Sequence, residues 1–184
     1  MTIEELFNLP RKKESLKKID NFIAASSVDE LCHHQALCIK ALTLHEIGKT
    51  NDALKLILPK EAEFDSMDND TVVCYTDTLK EIFISIEQFD KALHYIQIKK
   101  LHLSLMAHDV YKKDMILYHI AQGHILEAKR WLILFLEDDI SDYDRIFAYE
   151  KLIEFQYNEK DIISFNQSYD KLLDYYQEYQ EEEY

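Results

Sequence analysis

The chain of 184 residues sets 35 acidic side chains against 21 basic ones, a formal net charge of −14. A field of that sign repels phosphate backbones and anionic headgroups, which excludes nucleic acid and membrane surfaces as partners of the body as a whole. Hydrophobic residues make up 47%, yet there are only two glycines and two prolines. So few chain breakers exclude a β-rich or loop-rich fold and predict an all-α domain with short turns.

The start, Met1-Thr2-Ile3-Glu4-Glu5, lacks the basic-then-apolar order of a secretory leader. No apolar run of about 18 residues occurs to span a bilayer. Cys32, Cys38 and Cys74 lie inside helical patterns and read as reduced thiols. Together these features point to a cytoplasmic protein. Lysine outnumbers arginine 18 to 3, which fits an AT-rich bacterial genome.

Taken in order, Thr2 to Leu9 reads as a short helix stopped by Pro10. Leu16, Ile19, Phe22 and Ile23 mark a second, amphipathic helix, and Arg11, Lys12, Lys13, Lys17 and Lys18 give it a solvated basic face. These N-terminal helices occupy residues 1–26, and four helix pairs follow at 27–60, 70–104, 105–140 and 141–184. The first pair opens on a Ser27–Glu30 capping box and turns at Gly48. Pro59 and an acidic connector close it. The second turns near Glu87 and the third at Gly123. In the fourth, Ser141 caps the first helix and Asn158 the last.

Ala53, Ala92 and Ala128 sit at one place in the first three pairs, and a further step of 36 reaches Ser164. A fixed period in this range marks a helical repeat array. With Leu37, Ala41, Leu44, Gly48, Ala53 and Ile57 in the first pair, and Gly123, Ala128, Leu132 and Phe135 in the third, the chain resembles the tetratricopeptide repeat family. Lys80 and Ile116 depart from that pattern at a small-residue position, and Glu87 and Glu159 stand for the turn glycine. The resemblance implies one domain over 1–184, a right-handed superhelix of antiparallel pairs (an α-solenoid) with a concave groove lined by the first helix of each pair.

No residue set supports catalysis. A zinc site needs three or four convergent ligands, and neither His-Glu-x-x-His nor paired Cys-x-x-Cys occurs. Phosphate- and dinucleotide-binding loops need glycines that the chain lacks. No cofactor, metal or enzymatic activity is expected.

The groove is then the expected site, with Cys38, Leu42, His45, Asp77, Glu81, Lys113, Leu117, Tyr149, Ile153 and Gln156 facing it by helical projection. Their aliphatic, aromatic and acidic mixture suits an amphipathic helix or extended peptide carrying positive charge. The expected function is a non-enzymatic protein-binding scaffold. The alternative is a peptide-sensing regulatory module of a bacterial signalling system. Phe165, Tyr169, Leu172, Leu173 and Tyr176 give the last helix an aromatic face. That face predicts packing on the fourth pair, a homodimer contact, or a junction with a further domain.

Overall fold

The computed structural model describes residues 1–26, 30–104 and 107–182. Among these there is no strand, and the chain forms ten α-helices and one 3-10 stretch. They group into two compact units, 1–105 and 106–184.

The first unit holds α1 (Ile3–Phe7), α2 (Lys13–Ala25), α3 (Glu30–Glu46), α4 (Thr50–Ile57), the 3-10 stretch Leu58–Ser66, α5 (Asn69–Ser85) and α6 (Phe89–His102). The second holds α7 (His108–Ala121), α8 (Ile125–Leu136), α9 (Asp142–Glu159) and α10 (Ile162–Glu182). Helices adjacent in sequence pack as pairs: α3 with α4, α5 with α6, α7 with α8, and α9 with α10. Across pairs, α3 packs on α5 and α8 on α9. No described helix is long and apolar enough to cross a membrane.

Side-chain caps set several helix starts. Thr2 and Glu5 form a capping box on α1, the Asp68 carboxylate accepts from the Thr71 amide, and Ser141 accepts from the Asp144 amide. Ser27, the cap of the expected Ser27–Glu30 box, lies outside the described residues. Asn158 does not cap the last helix: α9 continues through Glu159, and the Asp161 carboxylate accepts from the Ser164 amide instead.

All four pairs turn in the same way. Gly48 and Gly123 have φ of +80° and +72°, and Glu87 and Lys160 reach +59° and +60° despite their side chains. At each turn the amide of the next residue bonds back five positions: Lys49 to Leu44 (2.8 Å), Gln88 to Phe83 (2.9 Å), His124 to His119 (2.9 Å) and Asp161 to Gln156 (2.9 Å). This is the left-handed helix termination that glycine favours. Recurring four times, it makes the fold a helical repeat.

The turn geometry also corrects the repeat register. Counting five residues on from each left-handed position gives Ala53, Ala92, Ala128 and then Phe165, not Ser164. The three alanines are fully buried, where a small side chain lets two helices cross closely. Phe165 fills that place in the fourth pair and is only partly buried.

The acidic connector after Pro59 is structured. Phe64 is buried with its ring 6.1 Å from Tyr75, and Glu61 accepts from the Tyr95 hydroxyl at 2.7 Å. In the second unit one core joins Ile116, Ala128, Leu132 and Phe135 to Ala148, Leu152, Phe155 and Leu172.

Candidate functional site

In the first unit, Cys38, Leu42 and His45 of the expected groove face a neighbouring helix rather than open space, whereas Glu81 is exposed. Cys38 is 2% exposed and Leu42 is also buried. The Cys38 and Cys74 thiols lie close enough to perturb each other: burial pushes Cys38 well up, and the hydrogen bond from Cys38 draws Cys74 down. His45 lies 2.6 Å from Ser85 Oγ through Nε2 and 3.0 Å from Thr50 Oγ1 through Nδ1. Nearby, His34 Nδ1 sits 2.8 Å from the Tyr75 hydroxyl. Residues 34, 38 and 45 therefore belong to the α3–α5 contact.

Asp77 and Glu81 lie on α5 and are held in ion pairs. Burial raises Asp77, but the Lys80 and Lys99 ammonium groups outweigh it and hold the carboxyl below its ordinary range. Glu81 is 3.6 Å from Arg11, whose guanidinium also donates to Glu46 at 2.8 Å. One arginine at the α1–α2 turn thus ties the ends of α3 and α5.

In the second unit Lys113 pairs with Asp144 and lies over the rings of Tyr143 and Phe147, at 5.4 and 5.1 Å. Leu117 is exposed on α7, and Ile153 packs against the core. The structure brings Tyr149 and Gln156 together in a groove of about 720 Å³ between α8, α9 and α10. Its walls include Ile133, Leu136 and Leu152, and its rim carries Glu137, Asp170 and Lys171.

The groove floor is polar. Gln156 is buried where the first two pairs place Leu44 and Phe83. With the amide turned so that both its atoms are paired, its nitrogen donates to the Ser164 carbonyl (3.2 Å) and its oxygen accepts from Ser168 Oγ (3.1 Å). The Gln156 amide is thus satisfied within the fold, and the groove offers a ligand its apolar walls and the polar groups of its rim.

Projection alone places Tyr149 and Gln156 on the opposite side of α9, toward the first helices of the other pairs, and does not single out Ser168, Ile133 or Lys171. The signal that finds them is Gln156 where the first two pairs carry Leu44 and Phe83, and Ser168 where the first three carry Leu56, Tyr95 and Trp131.

Compared with protein-family models, curated proteins and solved structures, the chain gives no match. The repeat assignment rests on the four equivalent turns.

Proposed function

We propose that this chain is a tetratricopeptide-like interaction module of the cytoplasm, which acts by holding a segment of another polypeptide rather than by catalysis. The observation that carries this reading is the groove between α8, α9 and α10, where the apolar side chains of Ile133, Leu136 and Leu152 stand beside the exposed polar groups of Glu137, Gln167, Asp170 and Lys171. Those elements recognise main chain and side chain together, as peptide sites do. The carboxylates at its rim favour a segment with positive charge.

The groove's size also favours the second reading, a sensor for a short peptide, since about 300–1,000 Å³ is the range of sites for small ligands. A scaffold binds its partner without a change in fold. A sensor changes conformation when a free peptide binds.

Affinity capture with the full chain, followed by binding assays on the recovered partner, tests the proposal. Ile133 and Glu137 are exposed, so Ile133→Glu and Glu137→Lys should leave the fold intact and weaken partner binding at least tenfold. Undiminished binding by both folded variants removes the groove as the site.

A further inference from the structure

The other face of α10 carries a second surface. Ile162, Phe165, Tyr169, Leu173 and Tyr176 recur at steps of three and four along one stripe, away from the groove-lining Ser164, Gln167 and Lys171. Tyr169 stacks on Phe165 with centroids 5.9 Å apart, and Phe165 in turn meets Tyr157 of α9 at 6.3 Å. Tyr176 donates to Glu150 of α9 at 3.2 Å, which brings that carboxylate to the edge of the stripe.

The repeat register shows what such a face ordinarily does. Nine residues past each left-handed turn stand Ile57, Ile96, Leu132 and Tyr169. The first three are fully buried, whereas Tyr169 is 45% exposed. On the first helix of the pair, Glu150, Glu154 and Tyr157 correspond to Cys38, Leu42 and His45. In the first unit these three lie on the face that α5 covers, whereas Glu150, Glu154 and Tyr157 are all exposed. The α9–α10 pair thus displays, uncovered among the described residues, the face on which α3 seats a helix.

Phe165 in the alanine position adds a recess. A hollow of about 580 Å³ at the α9–α10 turn is lined by Tyr157, Ile162 and Phe165, with Lys160 and Asp161 at its mouth. It lies at one end of the stripe and is large enough for a bulky apolar side chain.

We infer that the α9–α10 face is a docking site for an amphipathic helix of another protein, one with an apolar stripe flanked by lysine or arginine. The helical form follows from the seating of α5 on the equivalent face of α3. The basic flanks follow from Glu150 and Glu154, which replace Cys38 and Leu42 on this surface; Glu154 is partly offset by Lys151 at 2.8 Å. A second copy of the chain would bring the same carboxylates and a net charge of −14 against their like. This site is separate from the groove between α8, α9 and α10 and does not depend on it.

The test uses the full chain and two synthetic amphipathic helical peptides with the same leucine stripe, one flanked by lysine and one by glutamate, with affinity read by fluorescence anisotropy. The lysine-flanked peptide should bind at least tenfold more tightly. Ile162→Glu and Tyr169→Glu, each checked for unchanged helical content, should weaken it tenfold or more. A Glu150→Lys, Glu154→Lys double variant should reverse the preference. Ile133→Glu and Glu137→Lys should leave peptide binding unaltered, which separates this surface from the groove. Equal affinity for both peptides overturns the inference, as does binding untouched by folded Ile162→Glu. A concentration-dependent dimer in sedimentation that Tyr169→Glu dissociates also overturns it, because the occupant would then be a second copy.

Discussion

Two left-handed residues with side chains, Glu87 and Lys160, occupy turns where glycine costs nothing. A side chain in that conformation costs about 1–2 kcal/mol, and glycine returns part of the gain through its freer unfolded state. Glu87→Gly should therefore stabilise the fold by about 0.5–1 kcal/mol, read as a higher urea midpoint at constant slope. His119 holds the position of Leu44 and Phe83, and its Nδ1 is buried without a hydrogen-bond partner among the described residues. Burial, then neighbouring His124, depresses its pKa below the ordinary 6.5. The unfolded chain then binds the proton more readily, so this residue's contribution to stability falls as pH drops through about 6.5. His119→Leu should raise stability by about 1 kcal/mol at pH 7.5. The advantage should widen by pH 5.5, and melting curves at the two pH values check both size and sign.

At the level of helices, the crossings and the shared ion pair carry the pairwise packing. Ala92→Leu or Ala128→Leu should overpack a crossing and cost roughly 1–3 kcal/mol; unchanged denaturation midpoints in both would sink the assigned register. Asp77 joins α5 to Lys99 of α6, and Asp77→Asn should cost about 0.5–1 kcal/mol at pH 7, since solvent screens the half-exposed carboxylate. Because its folded pKa is lowered, the stability it adds is present above the ordinary carboxylate range and is lost as pH falls through the folded value. The variant should lose that acid-sensitive component. Helix pairing was legible because glycine scarcity, apolar spacing and three equivalent alanines all imply the same units. The fourth register was not, since Phe165 removes the alanine that marks it and a left-handed lysine leaves no trace in composition. Groove exposure was misjudged at Cys38 and Leu42 for a related reason. Periodicity shows that a helix has an apolar face, but the neighbouring helix decides which flank of that face is covered.

Across the whole chain, the Cys38–Cys74 contact offers a clock. The described cysteines form no disulfide, and Cys38 is enclosed where α3 meets α5, so a thiol reagent reaches it only when the two helices part. Alkylation at fixed pH, with the three cysteines resolved by peptide mass, should modify Cys38 last. Its slowing relative to the denatured chain measures the free energy of local opening while the helix pair recloses faster than the reagent reacts. Cys38 modified as fast as partly exposed Cys74 would mean that α3 and α5 separate freely. Otherwise the same thiol reports, without any added label, how much a bound partner or an altered turn tightens the first unit.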